Sequence, residues 1–233
     1  MSNEPLVTVQ GIAAPILRSN IDTDAIAPSR VRITSLAKSG YAKALFANWR
    51  FDENGNEIED FVLNQEPFRN ARILVAGPNF GCGSSRETAV WALQQSGFRT
   101  VIAPSFGSIF ESNCYRNGLL PLSLPADEHD ELVNEIFNAQ PEPTAEVYLQ
   151  RLEVKATHGQ VHRFSVDKRG RHLLLEGLDT IGETLLNVHQ IEQFRNRDRA
   201  QRPWIYTTSD SRRGLLHDQV TVSVTGPDWP VWS

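Results

Sequence analysis

The sequence has few cysteines. Cys82 and Cys114 are the two among 233 residues, and neither belongs to a C-x-x-C pair. Structural zinc sites and iron–sulfur clusters take several Cys or His ligands at short spacings, so we expect this chain to bind no metal and no cofactor by itself. We expect no disulfide either, because cytosolic thiols stay reduced. The N-terminal Met-Ser-Asn-Glu-Pro has neither the basic flank nor the apolar run of a secretory signal, which predicts a cytoplasmic protein.

Long apolar runs and an excess of basic charge are also missing. No stretch reaches the roughly 18 apolar residues that a transmembrane helix needs. The net charge of −5 and pI near 5.7 give no electrostatic footprint for nucleic acid or an anionic membrane. Apolar residues make up 40% and charged residues 22% of the chain, as in ordinary globular proteins. We predict one domain over residues 1–198 and an extension over residues 199–233, where aromatic residues are scattered among polar ones.

Short apolar runs rich in β-branched residues alternate with helical patterns. The runs Leu6–Val9, Ile73–Ala76 and Thr100–Ala103 have the length of buried strands. Helices are predicted at Glu87–Gln95 and near Phe106–Asn117, each followed closely by a glycine. Another strand is predicted at 119–124. This order of strands and helices predicts parallel strands joined by helical crossovers.

The downstream half adds other patterns. We predict a helix over 127–139, a strand hairpin over 146–155 and 160–166, and a helix from 180 to about 195. In the last helix one stripe is apolar and is interpreted as core: Ile181, Leu185, Val188 and Ile191. The fold class is therefore α/β, with a mixed, mostly parallel sheet and flanking helices.

The segment from Gly81 to Arg86 follows a predicted strand and leads into a helix. Such a position directs backbone N–H groups and the positive end of the helix dipole toward a ligand. Gly81 and Gly83 allow a tight turn, while Ser84, Ser85 and Arg86 add hydroxyls and a planar guanidinium suited to a carboxylate or a phosphate. The pattern predicts an anion site.

A structural interpretation of the same residues is also open. Ser84-Ser-Arg-Glu87 fits a capping box, in which Ser84 would cap the helix. The loop lacks the Gly-Lys-Ser/Thr ending of a Walker A loop, the G-x-G-x-x-G of a dinucleotide site and the G-x-S-x-G of a serine hydrolase, so these three classes are disfavoured. Asp22-Thr-Asp24, before Pro28, fits turn chemistry as well as a pair of active-site carboxylates.

Several separated motifs, in order, resemble the swivelling domain of the aconitase superfamily. They are Asn20–Ile26, Leu45–Phe51, Asp60–Asn64, Asn79–Glu87, Val101–Phe106 and Gly177–Gly182. The resemblance spans roughly residues 6 to 195 and is strongest to the small subunits of bacterial isopropylmalate dehydratases. It implies a β/β/α sandwich and a hydro-lyase subunit of leucine biosynthesis that interconverts 2- and 3-isopropylmalate by dehydration and rehydration.

The resemblance also implies a partner and site roles. A large subunit would hold a [4Fe–4S] cluster, and this chain would close the site and be active only in that complex. Ser84 would remove a proton from the carbon beside a carboxylate, and Arg86, helped by Ser85, would bind a carboxylate. Asp24 would orient Arg86 or the substrate, and Thr23 would contact the substrate.

The sequence departs from the family pattern at two positions near the site. In the segment 29–40, which would recognise the variable side group, Lys38 stands where an arginine is usual, so the charge stays but the bidentate fork is lost. Thr88 stands where Ser-Ser-Arg-Glu is normally followed by His. These differences keep open a related substrate, such as a methyl- or dimethylmalate or homoaconitate. A non-catalytic anion-binding module is the alternative from another class.

Overall fold

The structure is a computed structural model that describes residues 3–31, 40–138 and 142–206. Its contacts divide the chain into two compact units, Met1–Glu183 and Thr184–Ser233. The first unit contains the sheet and the predicted anion-binding loop. The domain boundary expected after residue 198 stays a prediction. In the described ranges, no helix combines the length and the apolar character required to cross a membrane.

One mixed sheet organises the first unit. Its strands in chain order are β1 (Thr8–Ile16), β2 (Ile73–Ala76), β3 (Thr100–Ala103), β4 (Leu120–Ser123), β5 (Thr144–Tyr148), β6 (Glu153–Ala156) and β7 (His162–Arg163). The spatial order is β4-β3-β2-β1-β5-β6-β7, with β1 to β4 parallel and β5 to β7 added antiparallel. The predicted α/β fold with a mixed sheet is confirmed.

Strand β1 joins the two kinds of pairing. Its first half, Thr8–Ile12, pairs antiparallel with β5, and its second half, Ala13–Ile16, pairs parallel with β2. Pro15 lies in the second half, where β1 no longer pairs with β5. Proline has no backbone N–H, so it fits at a position where no hydrogen bond to β5 is made. The predicted strand Leu6–Val9 therefore covered only the start of β1, because the Ala-Ala-Pro that follows has low strand propensity.

Helices cover both faces of the sheet. These covering helices belong to the first unit. All helices in chain order are α1 (Thr23–Ile26), α2 (Ala47–Arg50), α3 (Glu87–Gln95), α4 (Ser108–Asn117), α5 (Ala126–Asn138), α6 (Lys168–Glu176), α7 (Thr180–Leu185) and α8 (Val188–Gln201) in the described ranges. Along β2, Leu74 and Ala76 point into a core with α3, whereas Ile73 and Val75 point into a second core with α5 and α6. Two buried faces explain why this strand is apolar throughout rather than alternating.

The predicted helices at 87–95, 106–117 and 127–139 are present within two residues of their expected bounds. Helix α6 was not predicted. It begins at Asp167, whose carboxylate accepts a hydrogen bond from the Gly170 N–H at 2.9 Å, and ends at Gly177 in the left-handed conformation. Gly170 is required inside the helix because an added Cβ would lie 2.7 Å from the Tyr115 ring.

The helix predicted from 180 to 195 is wrong in two respects. The chain forms two helices, α7 and α8, separated at Leu186 and Asn187. The stripe interpreted as core is exposed, with Ile181 at 67% and Leu185 at 60% of full exposure, and Val188 and Ile191 are exposed too. The break between the helices interrupts the 3.6-residue period, so the four side chains do not form one continuous apolar face.

Candidate active site

The candidate site is built where the loops after β1 and β2 meet. These strands are parallel neighbours, so their carboxyl ends lie at one edge of the sheet, a common position for ligand sites in α/β proteins. The Gly81 N–H donates to the Ile21 carbonyl at 2.7 Å, and the Thr23 N–H donates to the Cys82 carbonyl at 3.0 Å. The two loops are thus joined backbone to backbone, directly before Ser84.

A pair of asparagines fixes the start of both loops. Asn20 and Asn79 have positive φ angles of 56° and 59°, a conformation that Asn tolerates better than most residues. The Asn79 side-chain amide donates to the Asn20 side-chain oxygen at 2.8 Å, and the Asn20 N–H donates to the Pro78 carbonyl at 2.9 Å. Both residues lie in the motifs of the sequence, but their mutual contact was not predicted.

Gly81 allows the loop to pass close to helix α4. Its φ is +72°, and an added Cβ would lie 2.7 Å from the Cβ of Phe110 and closer still to the Phe110 ring. Phe110 is buried, packs edge-to-face with Phe80 and stacks with Phe106 in an aromatic cluster. A side chain at position 81 therefore has no room.

The structure corrects the capping-box interpretation of Ser84. Helix α3 begins at Glu87, Arg86 is its N-cap residue, and no side chain caps it. The Ser84 carbonyl instead accepts hydrogen bonds from the Thr23 hydroxyl at 3.0 Å and the Arg86 N–H at 2.8 Å. Residues 84–86 precede the helix, because Arg86 is extended with ψ at 111°. Ser84 is exposed, and its hydroxyl makes no hydrogen bond with any described residue.

Arg86 and Asp24 form an ion pair between the two loops. One terminal guanidinium nitrogen of Arg86 contacts Oδ1 of Asp24. The Arg86 side chain is 32% exposed and that of Asp24 51%, so the pair is partly open to solvent. The orienting and catalytic roles that the resemblance implies for Asp24 stay predictions.

The neighbours of this pair serve the loop in different ways. Thr23 is buried at 1% exposure, and its hydroxyl donates a hydrogen bond to the Ser84 carbonyl. Asp22 accepts a hydrogen bond from the Ala25 N–H at 2.7 Å and so caps α1. The expected substrate contacts of Thr23 and of exposed Ser85 stay predictions. Lys38 lies outside the described residues.

A cleft of about 360 Å³ opens beside Arg86. Its described lining has an apolar part and a polar part, and consists of Ala27, Pro28, Ser29, Val31, Tyr41, Ala44, Arg86 and Thr88. The cleft thus places a cation next to apolar walls. Thr88, the position that departs from the family pattern, lies in this lining, in the first turn of α3.

The two thiols differ in their surroundings. Cys82 is half-buried in the site loop, whereas Cys114 is fully buried in α4, and both are free. Burial, with a smaller contribution from the Glu111 carboxylate, raises the pKa of the Cys114 thiol well above its ordinary value. In the part of the chain that the structure describes, no three His, Cys, Asp or Glu side chains are arranged to hold a metal ion.

The fold and the loop define a class of protein. A family model described as the aconitase C-terminal domain matches residues 3–127, which include the site loop and α1. A crystal structure of 3-isopropylmalate dehydratase from Methanocaldococcus jannaschii superposes with a TM-score of 0.56 at 28% identity, covering 81% of this chain and 99% of that one. The chain therefore belongs to the aconitase C-terminal domain class, and its fold is similar to that of a 3-isopropylmalate dehydratase.

Relatives narrow the class further. The 3-isopropylmalate dehydratase small subunit of Cupriavidus necator is 46% identical over 205 residues, covering 87% of this chain and 98% of that protein. The small subunit of the same name from Parvibaculum lavamentivorans is 45% identical over 195 residues, covering 84% and 96%. The chain belongs to the family of 3-isopropylmalate dehydratase small subunits.

Proposed function

We propose that this chain is the small subunit of a 3-isopropylmalate dehydratase and that it brings Ser84 and Arg86 to an active site completed by a large subunit. Family membership supports the reaction. One observation supports the assignment of residues. The Ser84 hydroxyl is exposed and has no hydrogen-bond partner among the described residues, and two residues further along the chain the Arg86 guanidinium is ion-paired with Asp24 and lines a cleft.

The described residues of this chain do not fit an iron–sulfur cluster. Its two cysteines lie on different elements, and no third ligand joins either of them in the described ranges. We therefore assign the [4Fe–4S] cluster implied by the family resemblance to the large subunit. The steps below concern only residues of this chain.

In the proposed dehydration, Ser84 acts as an alkoxide base. Its oxygen takes the proton from the carbon beside a substrate carboxylate, and the C–H electron pair becomes the double bond. The hydroxyl group leaves the neighbouring carbon as hydroxide with the C–O electron pair; a cluster in the large subunit would supply the Lewis acid for this leaving group. Rehydration returns the proton and the hydroxyl group to exchanged carbons, which gives the isomer. A free serine hydroxyl is a weak base, so this role requires stabilisation of the oxyanion by nearby positive charge and N–H groups.

The loop geometry supports such stabilisation. Two hydrogen bonds to the Ser84 carbonyl fix the backbone from which the hydroxyl projects. Arg86 lies two residues away at the start of α3, where the helix dipole is positive. Asp24 accepts a hydrogen bond from one terminal nitrogen of the Arg86 guanidinium. The other guanidinium N–H groups have no partner among the described residues, so they are free to bind a carboxylate.

The cleft favours an alkyl side group on the substrate. Ala27, Val31 and Ala44 are apolar residues of the same lining that contains Arg86. Burying a branched alkyl group there is favourable by about 0.8 kcal/mol per methylene-sized group. A second carboxylate in the same place, as in homoaconitate, would have to be desolvated against an apolar wall, and we therefore favour an isopropyl or smaller alkyl substituent.

Reconstitution tests the proposal. The purified chain should be inert alone, and mixing it with a cluster-bearing large subunit should restore the ultraviolet absorbance of the alkene intermediate from 2- or 3-isopropylmalate. Methyl- and dimethylmalate and homoaconitate in the same assay rank the side groups. Failure to bind any large subunit would leave the non-catalytic anion-binding module as the better account.

Arg86→Lys tests the carboxylate contact in the same assembly. Lysine keeps the charge but loses the fork, so kcat/KM should fall by about 10- to 100-fold. Arg151→Lys is the control, because Arg151 is also an ion-paired arginine but lies between β5 and β6, away from the loop. Equal activities of the two variants would contradict the role of Arg86.

A further inference from the structure

Asn117, the last residue of α4, is hydrogen-bonded to three side chains of α3. Its side-chain oxygen accepts from the Trp91 indole N–H at 2.9 Å, and its amide nitrogen donates to the Glu87 carboxylate at 3.4 Å. Its backbone carbonyl accepts from the Gln94 side-chain amide. Because Glu87, Trp91 and Gln94 lie one and two turns apart, they form one stripe of α3 facing the end of α4.

Asn117 is itself held firmly. Asn117 is only 8% exposed, and its side-chain amide nitrogen also donates to the Asn113 carbonyl at 2.9 Å. Gly118 follows in the left-handed conformation and ends the helix. Both polar groups of the Asn117 side chain therefore have partners, as a buried amide requires.

Helix α3 in turn positions two parts of the cleft. Its N-terminal end carries Arg86 and Thr88, which line the cleft from one side. On another side, Tyr41 packs the edge of its ring against Trp91 with centroids 5.2 Å apart, and its N–H donates to the Gln95 side-chain oxygen at 2.7 Å. A shift of α3 would move both the Arg86 guanidinium and the Tyr41 ring, which line the cleft.

We propose that Asn117 is a positioning residue for substrate binding, acting through Glu87 and Trp91 on Arg86 and Tyr41. The inference rests on the proposed function. Asn117 is not among the described residues that line the cleft. Its effect arises because it is hydrogen-bonded to Glu87, the residue next to Arg86 in the chain.

Asn117→Asp probes this contact with little change in shape. The new carboxylate cannot donate to Glu87, and it places like charges side by side at the first turn of α3. Adding Glu87→Gln removes the repulsion and restores a hydrogen bond in the reverse direction, because the amide introduced on α3 can donate to the carboxylate introduced on α4. The double variant therefore restores the contact with α3, while the hydrogen bond to the Asn113 carbonyl is lost in both variants and does not distinguish them.

The experiment uses the reconstituted two-subunit enzyme with 3-isopropylmalate. Asn117→Asp should raise KM about tenfold with kcat changed less than about threefold, since the misplaced groups are binding groups. The double variant should return KM to within about threefold of the wild type. Cys114→Ala is the control, because it removes a buried side chain from α4 and leaves the hydrogen bonds from Asn117 to the α3 stripe in place; it should lower the melting temperature and leave KM unchanged.

A KM unchanged in Asn117→Asp, with an active wild-type assembly, would overturn this inference alone. A wild-type assembly inactive on every malate derivative would overturn the proposed function and this inference with it. If Asn117→Asp does not fold, Trp91→Phe removes the indole N–H but keeps an aromatic ring against Tyr41. It should raise KM by about threefold, and an unchanged KM would again overturn the inference.

Discussion

Gly81 and Gly83 flank Cys82 and provide a matched pair of substitutions in the site loop. Both have positive φ angles, +72° and +89°, so replacement by alanine strains the backbone at either position. That strain costs about 1–2 kcal/mol. At Gly83 little else changes, because an added Cβ would lie 3.5 Å from the Asp22 Cβ, an ordinary van der Waals distance.

At Gly81 the added methyl group would overlap the side chain of Phe110. Phe110 is 2% exposed and is packed against Phe80 and Phe106, so it has no space into which to move. Overpacking of this kind costs about 1–3 kcal/mol beyond the backbone strain. Gly81→Ala should therefore lower the free energy of unfolding by about 2–5 kcal/mol, against about 1–2 kcal/mol for Gly83→Ala.

Urea unfolding followed by circular dichroism measures both variants against the wild type. The difference between them isolates the contact with Phe110, because the backbone strain is common to both. Equal losses of stability would refute the close approach of the loop to α4. A combined Gly81→Ala and Phe110→Leu variant should recover part of the loss, since the smaller side chain opens space for the new methyl group.

Three further outcomes follow from the described contacts. Iodoacetamide should label Cys82 but not Cys114 in the native protein, and both after unfolding, as counted by mass spectrometry; native labelling of Cys114 would contradict its burial and raised pKa. Burial lowers the pKa of His129 in the folded protein. Below about pH 6.5, the ordinary pKa of histidine, the unfolded chain therefore binds more protons than the folded one. The free energy of unfolding should fall as the pH is lowered from about 6.5 to the lowered pKa of the folded protein. His129→Leu should flatten that dependence in urea titrations, and an unchanged slope would refute the assignment. Asp167→Ala should cost about 1 kcal/mol as a true helix cap, whereas Ser84→Ala should cost less than about 0.5 kcal/mol in the same assay; equal costs would restore the capping role of Ser84.

The parallel half of the sheet could be predicted because its elements are local in sequence. Ile73–Ala76 and Thr100–Ala103 are short apolar runs buried on both faces, and the helix Glu87–Gln95 between them ends close to a glycine. The exposure of Ile181 and Leu185 could not be read from periodicity, which shows which residues share a face but not whether another element covers it.

The candidate site residues come from sequence motifs and their roles stay predictions, whereas the geometry of the loop depends on contacts that the sequence does not encode. Motifs identified Ser84, Arg86 and Asp24, and the ion pair between Arg86 and Asp24 joins loops that are far apart in the chain. The capping box failed because its pattern needs a helix starting at residue 85, whereas Arg86 is extended and α3 starts at Glu87. The contacts of Asn117 with α3 depend on how two helices pack, which no local pattern in the sequence encodes.

The central claim is that Ser84 acts on the substrate and not on the helix. Turnover of 3-isopropylmalate by the reconstituted enzyme with Ser84→Ala tests it most directly, beside Ser108→Ala as an exposed serine at the start of α4. Loss of a positioned base predicts a fall in kcat of at least about 100-fold for Ser84→Ala, with assembly and melting temperature unchanged and with Ser108→Ala close to wild type. A Ser84→Ala enzyme that turns over within a few-fold of the wild type would contradict the account.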